Sequence, residues 1–423
     1  MESYAARVVD HELDELVGAL SAIAIEGPKA VGKTETAQRR ARTVYRLDDS
    51  TTAEIIAADP QRLRAGPHPI LIDEWQRFPS SWDIVRRAVD DDPRPGQYLL
   101  TGSASPTDAP THSGAGRVVT VRMRPMSLVE RYPGIGTVSL ATLLAGTRLP
   151  IDGTTTLTID DYAHEIVSSG FPAIRALSGR ALRTQLDGYI ERIVERDFAE
   201  LGHRVRNEGA LRRWLTAYAA ATSTTASFET IRDAASTGGN TPAKSTTLPY
   251  RSILEQLWII EDVPGWLPTH NQLRRLATAP VHQLADPALA ARLLGIDAES
   301  LTRTSNTTTT RSRTTNMFGP LFESLVTLST RVYAQANEAR VAHLRTHSGK
   351  HEVDLIIERS DGRIVALEVK LKANISDHDT RHLQWLQERI GPDLLDAAII
   401  TTGTTAYRRT DGIAIIPAAL LTP

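Results

Sequence analysis

Eight residues near the start of the chain, Gly27-Pro28-Lys29-Ala30-Val31-Gly32-Lys33-Thr34, have the spacing G-x-x-x-x-G-K-[ST], directly after an apolar run and directly before a helical pattern. In that setting glycines turn backbone N–H groups inward around phosphates, and a helix N-terminus adds positive dipole. Lys33 then reaches the β- and γ-phosphates, and Thr34 holds Mg2+. A second apolar run, Pro69-Ile70-Leu71-Ile72-Asp73-Glu74, ends in two acids. Beside a phosphate loop, Asp73 suits Mg2+, directly or through water, and Glu74 suits a general base that polarises the attacking water. The run 97–102 ends in hydroxyls, and Ser103 is the expected polar sensor near a γ-phosphate. Arg117, in Gly114-Ala115-Gly116-Arg117, is the candidate charge-stabilising arginine, in cis or in trans.

A second set of reactive types lies near the C-terminus, where Glu352–Glu358 and Ile364–Lys370 flank a Ser360-Asp361-Gly362 loop. A Gly-ended three-residue loop between apolar runs reads as a hairpin. Closing it at Arg359 and Arg363 sets Asp354 opposite Glu368, with Lys370 on the same sheet face. Like charges directly opposite are destabilising, so a divalent cation between the acids is the expectation, with Lys370 beside it to position a water or a phosphate. Glu323, on the preceding helical pattern, is a candidate third carboxylate.

These residues need elements to hold them. Strand-like runs at 21–26, 44–47, 69–73 and 97–102 alternate with helical patterns, which reads as a parallel α/β unit ending at a polar, Gly/Thr-rich stretch at 149–158. The next block is helical, clearest at 185–201 and 210–221. A cap at Ser227, Pro249 in the first turn of a helix and a strand-like 257–260 give it a winged-helix outline. A Thr/Ser/Arg-rich linker at 301–316 leads to a final α/β unit with helices at 318–335 and 376–389. The expected division is 1–150, 160–300, the linker 301–316, and 317–423.

Composition sets limits. The chain has 423 residues, no Cys and a formal net charge of −2, which excludes disulfides, Cys-ligated metals and a protein that coats nucleic acid by charge alone. Splitting the charge gives −3 for residues 1–160, +3 for 174–275 and +2 for 301–423. Lysine is rare, with six residues against 42 arginines, so Lys33 and Lys370 stand out where an ammonium is required. With no apolar run long enough for a membrane span and no basic-then-apolar leader, a soluble cytoplasmic protein with no membrane partner is expected.

The order of motifs resembles the AAA-like P-loop ATPases of the AAA_14/DUF4143 family. The likeness runs through GPKAVGKT, LIDEWQRFP, LLTGSAS, the RPMSLVE segment at 124–130, YIERIVERDF at 189–198, MFGPLFESLV, EVDLII and LEVK. It implies an N-terminal domain binding and hydrolysing ATP with Mg2+, a winged-helix-like middle, and a C-terminal α/β fold similar to the PD-(D/E)XK nucleases, restriction-endonuclease-like in class. Glu323, Asp354, Glu368 and Lys370 would correspond to that nuclease pattern, with Mg2+ or Mn2+ as its metal. DNA is the implied partner of the later blocks, through Lys244, Tyr250 and Arg251 in the middle, although Pro249 interrupts that segment. A homo-oligomer supplying an arginine in trans also fits the resemblance. The competing expectation is a regulatory ATP-dependent interaction protein whose nuclease-like unit binds a partner without cleaving nucleic acid.

Overall fold

Helix α1 (Val9–Ala19) leads into β1 (Ala22–Glu26), and the phosphate-loop sequence then opens α2 (Lys33–Gln38). With β2 (Thr43–Arg46), β3 (Ile70–Asp73), α3 (Ser80–Asp91), β4 (Tyr98–Gly102) and β5 (Val118–Arg122), these build a parallel five-stranded sheet in the order β2-β3-β4-β1-β5. The molecule is known from a computed structural model that describes residues 4–102, 115–203, 205, 207–236, 242–268, 278–303, 317–346 and 349–423.

Period-2 alternation explains why these short runs become central strands. Ile23, Ile25, Leu71 and Leu99 fill one face, while Ala22, Ala24, Ile70, Ile72 and Leu100 fill the other. The register aligns Glu26 with Gly102 and Arg122, and Asp73 with Thr101, so the C-terminal strand ends gather at one edge. That edge is where open α/β sheets bind ligands. Strand β5, an edge strand exposed at Val119 and Thr120, lies outside the runs expected from the sequence.

After β6 (Val138–Ser139), the middle block contains α4 (Ile159–Val167), α5 (Gly179–Arg192), α6 (Glu208–Ala220), α7 (Phe228–Ala234) and α8 (Lys244–Gln256). The helix expected at 185–201 starts earlier, at Gly179, and passes through a π turn at Ile193–Asp197 into Phe198–Glu200. Pro249 lies inside α8 and not in its first turn. Its missing N–H removes one hydrogen bond, and the packing of Ile253 and Leu254 carries the helix past it. The strand expected at 257–260 is reduced to isolated antiparallel bridges, Ile260 to Leu284 and Val263 to Val281.

The middle block ends with β7 (Gly265–Trp266), and the last block adds α9 (Phe318–Gln335), β8 (Arg340–Arg345), β9 (Glu352–Glu358), β10 (Ile364–Lys370), α10 (Asp377–Ile390), β11 (Leu394–Thr401), β12 (Tyr407–Arg408), β13 (Ala414–Pro417) and β14 (Leu421–Thr422). The seven-stranded sheet runs β12-β13-β11-β10-β9-β8-β7, so its last edge strand comes from the middle block. Strand β14 pairs with β6, and Arg148 donates to the carbonyls of Leu394 and Leu395. Residue 150 therefore does not mark the end of the first block's packing: the segment from Leu128 onward lies against α9 and the C-terminal sheet. One apolar core runs continuously from Val9 to Leu421. Of the expected linker, 304–316 lies outside the described residues.

Candidate functional site

The loop between β1 and α2 is held close to the sheet by its glycines. A Cβ on Gly27 would collide with the Met123 carbonyl, and Gly32 caps α2 at φ 105°, a left-handed position that favours glycine. Arg7, buried against Glu130, steadies the loop by donating to the Val31 carbonyl at 2.9 Å. Lys33 is only 5% exposed, and its Nζ donates to the carbonyls of Gly27 and Pro28, both at 2.9 Å. Burial brings its pKa down to about 8, with Glu74 opposing that shift.

Thr34 Oγ1 donates to Asp73 Oδ1 at 2.8 Å, and Thr101 Oγ1 donates to the same oxygen. The second residue of α2 and the last-but-one residue of β4 thus meet at the carboxylate that ends β3. A hydroxyl and a carboxylate side by side are the hard oxygen donors Mg2+ prefers, so these residues fit that ion. Glu74 follows in a left-handed turn at φ 55°, its Oε2 accepting from Gln76 Nε2. Trp75 turns inward, 3% exposed and packed on Trp82.

The loop is also tied to the middle block. Lys29 Nζ donates to Asp197 Oδ1 and Glu200 Oε2, each at 2.7 Å, and Tyr189 donates to the Lys29 carbonyl at 3.1 Å. Asp197 sits in the π turn, a feature that recurs at functional sites. Burial raises the Asp197 carboxyl, and Lys29 opposes that shift.

Two expectations fare differently here. Ser103 lies outside the described residues, while Thr101, two residues earlier, is the hydroxyl that meets Asp73. Arg117 precedes β5 at the end paired with Ala22, about 16 Å from the loop edge at ~3.3 Å per residue, and it pairs with Asp90 at 2.8 Å. It does not reach the site in cis. The arginine at the correct end of β5 is Arg122, whose charge acts on both Glu26 and Lys33. Sequence reasoning missed Thr101 and Arg122, because only the strand register shows which end of a strand faces the loop.

In the C-terminal sheet the hairpin pairs as its loop requires, Leu355 with Leu367. One step on, Asp354 does not simply face Glu368: its Oδ2 accepts from the Val369 N–H at 2.7 Å. Lys370 Nζ donates to Glu368 Oε1 at 3.0 Å, leaving Glu368 Oε2 buried without a hydrogen-bond partner among the described residues. Burial, and then the Asp354 charge, push Glu368 up to about 8. Burial and Asp354 likewise raise Glu323 well above the ordinary range. The three acids feel one another, yet among the described residues no group of three His, Asp or Glu side chains is arranged to hold a metal ion. Of the acids expected to hold a metal, Glu323, Asp354 and Glu368, Asp354 accepts a backbone N–H on Oδ2 and Glu368 accepts the Lys370 ammonium on Oε1.

The middle-block candidates for DNA are similarly engaged. Tyr250 is 7% exposed against Trp214 and Phe198, Arg251 pairs with Glu255 at 2.6 Å, and Lys244 with Glu229 at 3.4 Å. Among the described residues no helix is long and apolar enough to cross a membrane.

Three family models match parts of the chain: an AAA domain at residues 20–132, a domain of unknown function, DUF8612, at 159–300, and a second, DUF4143, at 318–421. The N-terminal segment is an AAA-type domain by that match. Uncharacterized proteins of Mycobacterium tuberculosis and Mycobacterium bovis are each 27% identical over 283 residues, 65% of this chain. The match spans 56% of the length of those curated relatives. Among solved structures, the Walker-type ATPase paby2304 of Pyrococcus abyssi is 14% identical with a TM-score of 0.38, covering 67% of this chain and 94% of that one.

Proposed function

We propose that the chain binds and hydrolyses ATP at the loop 27–34 and couples nucleotide state to its C-terminal module. The observation that carries this reading is the Thr34–Asp73 hydrogen bond, which joins the loop hydroxyl to the strand-end acid beside a buried lysine. Thr34 and Asp73 would hold Mg2+, which neutralises phosphate charge when bound. Lys33 exchanges the Gly27 and Pro28 carbonyls for phosphate oxygens, and Glu74 accepts the proton of the attacking water. Thr101 keeps Asp73 oriented. Coupling is supported by the Lys29 bonds to Asp197 and Glu200 and by the pairing of β6 with β14. Titration of the full chain with ATP, beside Lys33→Ala, tests the reading: binding by wild type and none by the variant is expected, and equal binding contradicts it.

For the C-terminal module, the engaged carboxylates favour binding of a partner without cleavage. The second reading, a Mg2+- or Mn2+-dependent DNA-cleaving site at Glu323, Asp354, Glu368 and Lys370, is favoured by one observation: Glu368 Oε2 is buried without a hydrogen-bond partner among the described residues, within reach of the Asp354 and Glu323 charges. The donor set does not fit a metal as arranged, so no cleavage step is derived from it. Plasmid nicking with Mg2+ or Mn2+, lost in Lys370→Ala, would establish the second reading; intact plasmid supports the first.

A further inference from the structure

The middle block contains a cavity of about 380 Å3 in which no residue of the loop 27–34 takes part. Four segments wall it: the end of α4, the start of α5, the helix Pro287–Leu293, and the chain from Gly295 into the helix Ala298–Arg303. Its floor is apolar, built from Val167, Leu182, Leu186, Ala288, Ala291 and Ile296. Gly179 and Gly295 also line it, and a Cβ on either would meet nothing within 4 Å, so the cavity opens to solvent beside them. A recess of this size falls among small-molecule sites, roughly 300–1,000 Å3, and its floor favours an apolar body taken out of water.

The charges at the rim say what head such a body carries. Four charged side chains line the cavity, Arg183, Arg292, Asp297 and Glu299, and three of them are committed. Arg292 donates through Nε and Nη2 to the two oxygens of Asp187, at 2.7 and 2.5 Å. Asp297 Oδ1 accepts the Ser300 N–H at 2.8 Å, and Glu299 is paired with Arg303. His164, also at the rim, is tied by Nδ1 to the Asp160 carbonyl at 2.8 Å. Arg183 has no hydrogen bond or ion pair among the described residues, although its charge, like that of Arg303, is felt at Asp297. Formal charge here balances, arginines 183, 292 and 303 against Asp187, Asp297 and Glu299, but each acid already has a donor while the Arg183 fork has no acceptor. Ser178, beside it, makes no capping bond to α5, so its hydroxyl is available too.

We propose that this cavity binds a small organic monocarboxylate with an apolar body. The body lies on the floor, and Arg183 donates to the carboxylate at the mouth, where its planar fork matches the two oxygens. An amine of the same length would meet Arg183 as a like charge, and an alcohol would leave the fork half paired. The site is independent of the ATP reading.

The test is calorimetric titration of the 423-residue chain with octanoate, octylammonium and 1-octanol, wild type beside Arg183→Glu and Val167→Trp. Wild type is expected to bind octanoate saturably and at least about fivefold more tightly than octylammonium, and Arg183→Glu to lose that preference. Val167→Trp, which fills the floor, should weaken all three probes. Arg183 is exposed, so its substitution leaves the fold in place even where Val167→Trp does not fold. Equal binding of octanoate and octylammonium by wild type, an unchanged octanoate affinity in Arg183→Glu, or no saturable binding of octanoate overturns the inference. So does light scattering that shows a dimer lost in Val167→Trp and indifferent to octanoate, which would assign the cavity to a second copy of the chain.

Discussion

Thr34 and Asp73 stand 39 residues apart in sequence and 2.8 Å apart in space, Oγ1 to Oδ1. Two motifs that each have a bland explanation alone become one site when strand order places β3 two positions from β1. The pair predicts a metal-linked phenotype. Thr34→Ala and Asp73→Asn should each weaken ATP affinity at least about tenfold in Mg2+ and have little effect in chelator, because only the metal-bound complex uses both groups. Calorimetry with and without EDTA checks it, and equal losses under both conditions count against the assignment.

Lys33 predicts a pH profile. Its pKa is brought down to about 8 by burial, so the free chain loses this charge as pH rises through 8, while bound phosphates would retain it. ATP affinity should be flat below about pH 7 and fall by up to about tenfold per unit above pH 8. A profile unchanged to pH 9.5 contradicts this.

The Lys29–Asp197 contact predicts a modest stability effect. Asp197 is nearly buried but Lys29 retains solvent and a second partner in Glu200, so Asp197→Ala should cost about 1–2 kcal/mol and lower Tm by a few degrees. Glu200→Ala, whose side chain is 46% exposed, should cost less. The reverse order in thermal melts would show that the π turn is not held through this bond.

Glu368, although paired with Lys370, predicts a stability trend of opposite sign to an acid whose pKa is lowered on folding. Its folded pKa is raised to about 8 from an ordinary value near 4.5, so the folded state binds the proton more tightly. The resulting stabilisation is full below about pH 4.5 and is lost as pH rises through 8. Glu368→Gln should therefore flatten the pH dependence and gain relative stability at pH 8 to 9. Denaturant melts at pH 5 and pH 8.5 read this directly, and parallel curves for wild type and variant would refute it.

What the sequence showed depended on whether chemistry was fixed by spacing or by folding. The loop 27–34 was legible because its spacing alone dictates a turn into a helix, and Asp73 because an apolar strand ends there. The β9–β10 register followed from the Ser360-Asp361-Gly362 loop as far as Leu355 and Leu367. Beyond that point, alternation could not say that Asp354 would take the Val369 N–H in place of a cation. Arg122 was hidden among 42 arginines, since its meaning comes from pairing with Glu26 and stacking on Trp258. Tyr250 looked like a surface contact because Pro249 obscured the helix that turns it into the core. The block boundaries were hardest, because β7 and β14 reach into other blocks through strands of only two residues.

The central claim is that this chain turns over ATP with Glu74 as the base. The direct measurement is phosphate release from ATP by the 423-residue chain in Mg2+, wild type beside Glu74→Gln, with nucleotide binding measured on the same samples. The account predicts steady release by wild type, and binding without release by Glu74→Gln, slower by about 10²-fold or more. Release by Glu74→Gln at the wild-type rate, or binding without any release by wild type, would contradict it.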